Sequence, residues 1–438
     1  MSDTQTQSLN ADPEKEPMGL EKASPTAPTL LDTGEGNVPP MDSPQGWIVV
    51  LACFFNLMFS IGTTTTFGVY LQEYELVEFP NAYSSQLSWI GTLQGAMMCF
   101  FGIFVGILSE HVDTRYLSAF GSLMTGVALI VSSFCNSPWK LLLTQGIFYG
   151  FGGSFLYSTG LTLAPQWFNK YRALASGVVI AGSGIGGLWL SFAINAMIEN
   201  ISRQWAQRIT GLITIGICGA LSPLMKMRIK PVKRKQIADF SVIGDKKFLL
   251  LFSSSLLGMS GFFLPFFFMP TYTVIVLHKE QMWGTNVASI MNGSSVAGRI
   301  AMGILGDNIG ALNTLIIATC ASCISILVLW LPFKSFGTLI AAAVIFGFSS
   351  GAIVSLIPVV TANTFGVKRL PSIMGFIMLG YTIGALISSP PAGSILDKYG
   401  HGTKFTGLII YGGVFLGLAT AVNVVLRLVI SRNVLTKV

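Results

Sequence analysis

NGSSVAGRIAMGILGDNIG, residues 292–310, is the stretch that decides how this chain is read. It lies within a long apolar segment, yet it carries one charge in its middle, Arg299, and ends eight residues later in Asp307 and a short polar turn. Eight residues of helix rise about 12 Å. Against an apolar core about 30 Å thick, that rise places Arg299 well inside a bilayer if the segment spans it. A charge at that depth is costly, and its default meaning is functional. The rest of the chain has to supply a scaffold that tolerates it.

Of the 438 residues, 52% are hydrophobic and only 10% are charged, whereas soluble domains carry roughly 25% charged residues. This is the composition of a membrane protein. The net charge of +7 does not point to nucleic acid, because most basic residues fall in short loops between apolar runs, where topology accounts for them. Cys53, Cys99, Cys135, Cys218, Cys320 and Cys323 all lie in or at the ends of apolar runs, so no disulfide framework is implied. Cys320 and Cys323 have CxxC spacing without a second pair or a nearby His, and read as small buried residues rather than a metal site. Phosphate loops, metal clusters and nucleophile–base pairs are not apparent. The chain is read as a non-enzyme with no cofactor and no metal.

Residues 1–45 hold seven Pro and eight acidic residues with no apolar core, and are expected to form a disordered cytoplasmic tail. From Gly46 on, apolar runs alternate with short polar breaks. Twelve spans are expected, at 46–70, 86–109, 116–135, 139–165, 173–198, 208–227, 248–277, 283–306, 311–332, 336–362, 372–396 and 404–430. Most exceed the roughly 20 residues that a spanning helix needs. With the N-terminus inside, sixteen Lys and Arg fall on the cytoplasmic side and seven on the outer side, which places both termini inside. The expected organisation is a six-helix bundle over 46–227, a basic cytoplasmic linker over 228–247, a second six-helix bundle over 248–430 and a short cytoplasmic tail over 431–438.

The two halves repeat. Gly106 and Gly303, Gly150 and Gly347, Phe168 and Phe365, and Arg172 and Arg369 are each 197 residues apart. Gly182 and Gly380, and Gly186 and Gly384, are 198 apart. GILSE (106–110) and GILGD (303–307) both close the second span of a half. Two copies of one six-helix unit in the same orientation resemble the parallel-repeat architecture of the major facilitator fold, whose halves rock about a site between them. The expected class is therefore an all-α membrane protein of twelve transmembrane helices in two six-helix parallel repeats.

GILSEHVDTRYL (106–117) resembles the major facilitator signature G-x-L-[AS]-[DE]-x-x-G-R-[RK] of the loop between helices 2 and 3. By that resemblance Gly106 allows close helix approach, Glu110 caps and pairs, and Arg115 holds the inward gate; Gly303 and Asp307 are the second copy. This chain has Asp113 and Thr114 where the family often has Gly and Arg. GSGIGG (182–187) matches G-x-G-x-x-G literally, but it lies inside an apolar helix and not between a strand and a helix, so close helix packing accounts for it.

A narrower resemblance covers nearly the whole chain from Asp42. WFNKYRALASGVVIAGSGIGG (167–187) is similar to the helix 5 signature of the monocarboxylate porter family, with Lys170 and Arg172 kept and Tyr171 replacing the first Arg of its pair. Asp42-Ser-Pro-Gln-Gly46-Trp47 matches the opening of that family more loosely. The fungal branch, with porters for carboxylates, riboflavin and secondary metabolites, is the nearest likeness. In animal members an Arg on helix 8, followed four residues later by Gly, binds the substrate carboxylate; Arg299 with Gly303 matches that arrangement. The family's Asp one turn earlier is Ser295 here, and its helix 1 Lys falls at Thr65.

The residues allow a further reading. Asn292, Ser295 and Arg299 are spaced as one polar stripe facing a cavity. Asn56, Ser60 and Thr63, and Ser154, Ser158 and Thr162, are similar stripes, though hydroxyls also bond their own helix backbone. The candidate substrate-binding residues are thus Arg299, Asn292, Ser295, Asn56, Thr65 and Ser158. A guanidinium offers a planar fork suited to a carboxylate, and its alternative is a structural bond to backbone carbonyls. All nineteen Asp and Glu fall in loops, the tail or helix ends, as do the three His. A proton would have to use Glu73, Glu75, Asp397, Glu110 or Asp307, and uniport or anion exchange fits equally well. Pro165, Pro265, Pro270, Pro358, Pro390 and Pro391 are expected to interrupt helices, and Phe262, Phe263, Phe266, Phe267 and Phe268 crowd helix 7.

The expected function is transport of a small, monocarboxylate-like organic anion by alternating access. The alternatives are a porter for riboflavin, an exporter of a fungal secondary metabolite, and a non-transporting receptor on the same fold. The expected partners are that anion and the lipid bilayer, not nucleic acid, with a monomer as the functional unit in the plasma membrane or an internal membrane such as the vacuole's.

Overall fold

Hydrocarbon offers no hydrogen-bond partners, so a chain that enters it satisfies its backbone internally, and in this sequence it does so as helices. In a computed structural model, residues 39–80, 82, 84–228, 240–398 and 404–431 are described. Most of the expected tails and most of the 228–247 linker lie outside the described residues, while helix already begins at Pro44, inside the expected tail.

Helix α1 spans Pro44–Thr65 and is prolonged by Phe67–Glu73 and a π-helical turn, Tyr74–Glu78. Then follow α2 (Ser84–Leu108), α3 (Thr114–Ser132) and α4 (Tyr149–Trp167), the last preceded by a π-helical segment, Leu142–Phe148. The first half closes with α5 (Arg172–Asn200) and α6 (Arg203–Leu221). The second half comprises α7 (Lys246–Ile275), α8 (Gln281–Ile309), α9 (Ala311–Ile324, continued as Ser325–Trp330), α10 (Phe336–Phe365), α11 (Leu370–Lys398) and α12 (Thr406–Ile430). Nine of these twelve rods, among the described residues, are long and apolar enough to cross a membrane by length and composition. The other three are α4, α6 and α8, whose polar residues lower their hydropathy; α4 is buried along nearly all of its length.

Two expectations about these elements need correction. The helices run through Pro165, Pro265, Pro270 and Pro358 without a break. A proline removes one amide hydrogen, and neighbouring helices in a bundle compensate for it. The first helix does not stop near residue 70 but continues to Glu78, and Arg203, which falls between the expected spans 173–198 and 208–227, is almost fully buried.

Within the first half α1 packs on α4 and α5, and α3 on α4 and α6; within the second, α7 packs on α11 and α12, and α8 and α9 on α10. Two long seams join the halves: α5 against α8, and α2 against α11. The sequence repeat exchanges these two seams. Small residues bring helices close enough for van der Waals packing, which replaces the hydrophobic effect inside a membrane. At Gly298 on α8 an added Cβ would run into the carbonyl oxygen of Phe348 on α10, with the Phe348 carbonyl carbon only 2.6 Å away. Backbone cannot yield there as a side chain can. Gly298→Ala is therefore expected to destabilise the second half by about 1–3 kcal/mol, the usual range for overpacking. Thermal unfolding of the purified protein checks this, and an unchanged midpoint would show that α8 and α10 can separate without cost.

Candidate functional site

Arg299 stands on α8 where that helix meets α5 and α10. Its Nη1 reaches across the seam between the halves and donates to the Ile180 carbonyl oxygen at 2.9 Å and to Ser183 Oγ at 2.8 Å. Ser183 Oγ in turn donates to Ile180 O at 2.8 Å. Small residues make room for the guanidinium: a Cβ on Gly184 would lie 3.2 Å from Arg299 Nη1, and one on Gly351 of α10 would lie 2.9 Å from Arg299 Cγ. Both hydrogen bonds come from one nitrogen. Nε is buried and has no partner among the described residues. Ser295 Oγ, one turn earlier and 3.1 Å from the same Gly351 position, is likewise buried and unpartnered. Tyr157 on α4 and Tyr381 on α11 are buried tyrosines. The Tyr381 hydroxyl is also buried without a partner. Three helices, α5, α8 and α10, thus meet at Arg299, and its Nε and the Ser295 hydroxyl are buried there without a partner among the described residues.

The other proposed site residues separate into groups. Ser158, on α4, reaches Met378 Sδ across the α2–α11 seam at 3.4 Å. Asn292 is not part of a stripe with Arg299: it is exposed and donates to Ala288 O of its own helix at 3.0 Å. Asn56 faces into the first half, donating to Ser118 Oγ at 2.9 Å and Met225 Sδ at 3.0 Å. Thr65 is exposed and donates to Gly62 O at 2.8 Å. The hydroxyls of Ser60, Thr63, Ser154 and Thr162 also bond backbone carbonyls three or four residues earlier. Inside a helix a hydroxyl satisfies itself locally, so the spacing of hydroxyls alone did not locate the site. Ser183 and Ile180, the partners of Arg299, were missed. The 167–187 run pointed at α5, but through its likeness to a family signature and its close packing and not through these partners.

Residues read as gating gather at the end where α2, α4, α8 and α10 finish. Asp307, at the end of α8, accepts from the backbone amides of Ala173 and Leu174, both at 2.8 Å. It caps α5 from the opposite half, where the helix dipole favours an anion. Gly303 allows this approach, since a Cβ there would lie 2.8 Å from Ala173 O. Arg172 Nη1 donates to Asn363 Oδ1 of α10 at 2.5 Å. On the other seam Glu110 accepts from the Ser372 hydroxyl, and Gly106 lies against Pro371 and Gly375 of α11. The copies are not equal. Helices α5 and α11 start 198 residues apart, so Pro371 stands where Ala173 stands and has no amide hydrogen to offer. Arg115 is outside this set, 3.9 Å from Asp113 at the surface. Lys170 Nζ lies over the Tyr171 ring, while its backbone amide and that of Asn169 donate to Asp42 at 3.2 Å. Among the described residues, the side-chain hydrogen bonds between the halves lie from the level of Arg299 to this end, where the halves meet.

A family model described as the Major Facilitator Superfamily matches residues 47–301 and 279–436. The chain belongs to this superfamily. It is an integral, multi-pass membrane transporter and not an enzyme. Among curated proteins it is 29% identical over 418 residues to the agnestins efflux protein of Paecilomyces divaricatus, covering 94% of this chain and 95% of that one. It is 28% identical over 401 residues to the fujikurins efflux protein of Gibberella fujikuroi, covering 91% and 86%. It is also similar to the MFS transporter asaE of Aspergillus flavus, at 28% identity over 407 residues, covering 90% and 91%. The crystal structure of the human organic anion transporter MFSD10 matches with a TM-score of 0.69 over 87% of this chain and all of that one, at 14% identity, which supports the fold of this Major Facilitator member.

Proposed function

We propose that this transporter exports a small acidic secondary metabolite by alternating access, with Arg299 holding the anionic group. One geometric observation carries the anion: a half-buried guanidinium at the seam, anchored through Nη1, whose buried Nε has no partner among the described residues. A buried cation without a counter-charge is costly, and an incoming anion relieves that cost. The Nε side of the fork suits a carboxylate or an acidic enol. The direction rests on the relatives named as efflux proteins, which favour export over monocarboxylate uptake. Ser295, Ser158, Tyr157 and Tyr381 complete the proposed pocket, and Asp307, Glu110 and Arg172 the proposed gate. The bodies that rock are the bundles over 46–227 and 248–430, each protomer acting alone. With the Lys- and Arg-rich face inside, the conformer described is the one shut toward the cytoplasm.

Deleting the gene in its host and comparing small molecules in cells and medium by mass spectrometry tests this. We expect the ratio of cellular to secreted amounts to rise about tenfold or more for at least one acidic compound, a tenfold loss of rate being about 1.4 kcal/mol of barrier. A ratio that changes only for neutral compounds would remove the anion reading, and unchanged ratios would remove export.

A further inference from the structure

The seam that carries Arg299 has a counterpart, and the sequence repeat says what stands there. Helices α2 and α8 correspond at an offset of 197 residues, and α5 and α11 at 198. Arg299 on α8 therefore corresponds to Gly102 on α2, and Ser295 to Met98. Ile180 and Ser183 on α5, which hold Arg299 Nη1, correspond to Met378 and Tyr381 on α11. The α2–α11 seam is built accordingly. A Cβ on Gly102 would run into Met378 Sδ and lie 3.2 Å from Ser158 Oγ, so the thioether fills from α11 the space that the arginine fills from α8 in the other seam. Ser158 Oγ donates to that sulfur at 3.4 Å. Met98, one turn before Gly102, is buried, and a Cβ on Gly153 of α4 would lie 3.3 Å from its Sδ. Tyr381 follows Met378 by three residues and shares its face of α11. It is fully buried, and its hydroxyl has no partner among the described residues.

Halves related by an axis along the membrane normal hold corresponding residues at the same depth. At the depth of the guanidinium the two seams therefore offer opposite chemistry. One presents Arg299 with the hydroxyls of Ser183 and Ser295. The other presents two thioethers, a phenol and the Ser158 hydroxyl, none of them charged. A thioether is polarizable and makes favourable contacts at the edge of an aromatic ring, and its flexible side chain turns aside readily. A phenol hydroxyl buried without a partner is costly until it meets an acceptor. We propose that Met98, Met378 and Tyr381 form a second pole of the substrate site, which takes the uncharged end of the molecule whose acidic end Arg299 holds. The ring of that end lies against the two thioethers, and Tyr381 Oη donates to a carbonyl or ether oxygen on it. Entry of the ring turns Met378 away from Gly102 and releases the Ser158 hydroxyl. The substrate class is then an acidic aromatic compound with an oxygen function remote from its acid group. A short aliphatic monocarboxylate would fill the first pole alone.

The acidic end of this substrate rests on the function proposed above, and the second pole is tested separately from it. The probes are naphthoate and the acetylnaphthoate whose acetyl group stands at the end of the ring system opposite the carboxylate. Binding to the purified full chain is measured from the rise of its thermal midpoint with probe concentration. The wild type is expected to bind acetylnaphthoate about threefold to tenfold more tightly than naphthoate, the range of one neutral hydrogen bond. Tyr381→Phe removes the hydroxyl and keeps the ring, and is expected to bind the two probes alike with its affinity for naphthoate unchanged. Met378→Leu conserves volume and is expected to weaken both probes by about threefold. Arg299→Gln is expected to weaken both by about tenfold or more and to preserve their ratio. A wild type that binds neither probe, or both alike, would overturn the second pole, as would a preference that survives Tyr381→Phe. Unchanged affinities in Met378→Leu would remove the ring contact. If Arg299→Gln binds both probes as the wild type does while Tyr381→Phe still levels them, the anion reading fails and the second pole stands.

Discussion

Asp307→Ala is expected to part the halves at their closed end and to shift the conformer population by roughly 30- to 150-fold, which corresponds to about 2–3 kcal/mol. The carboxylate accepts two amide bonds at 2.8 Å from the first turn of α5, in the other half. Hydrogen bonds to a charged group are worth about 1.5–3 kcal/mol, and two that share one carboxylate do not add in full. These bonds exist only while this face is shut, so their loss falls wholly on the balance between conformers. Glu110→Ala is expected to move the same balance about half as far in free energy, because Pro371 has removed one donor and the Ser372 hydroxyl is what remains. Pulsed electron resonance between spin labels at His111 and Lys368, both exposed, reads the separation. Equal shifts in the two variants would sink the asymmetry, and an unchanged distance distribution in Asp307→Ala would show that the cap does not hold the halves.

Arg299→Ala is expected to reduce export of the acidic substrate by about a hundredfold or more, the scale on which loss of a buried charge partner acts. The side chain has two roles that single substitutions can separate. Ser183→Ala removes one of the two bonds from Nη1 and leaves Nε untouched. It is expected to cost less than about tenfold, since one neutral partner is worth roughly 0.5–1.5 kcal/mol. Arg299→Gln keeps an amide donor toward α5 but carries no charge and no fork, and it is expected to resemble the alanine variant. Export measured in cells, with thermal stability as a control for folding, checks all three. If Arg299→Gln exports at the wild-type rate, the guanidinium is a tether between α5 and α8 and the anion site lies elsewhere.

The repeat at 197–198 residues and the apolar runs made twelve helices in two halves legible, because hydrocarbon leaves a chain no alternative to helix. The charge on Arg299 was legible for the same reason: a cation inside an apolar run is costly wherever the fold places it. The pair GILSE and GILGD marked the ends of α2 and α8, and the structure puts both acids at the start of a helix in the other half. What failed was inference from spacing along one helix. Asn292 shares a face with Arg299 by periodicity, yet its amide bonds its own helix. Asn56 and the hydroxyl stripes are satisfied within their own half or their own turn. Glu78 and Arg203 are 125 residues apart and looked like loop charges, but the helical extension of α1 brings Glu78 to Arg203 at the start of α6.

The sequence by itself determined the class of molecule, the number of halves and the presence of a buried cation, since each follows from local hydropathy and its repetition. Only the tertiary structure decided which polar groups meet. Whether a serine bonds its own carbonyl or a guanidinium from the other half depends on the distance between two helices, and that distance is set by glycines and packing at positions far apart in the chain.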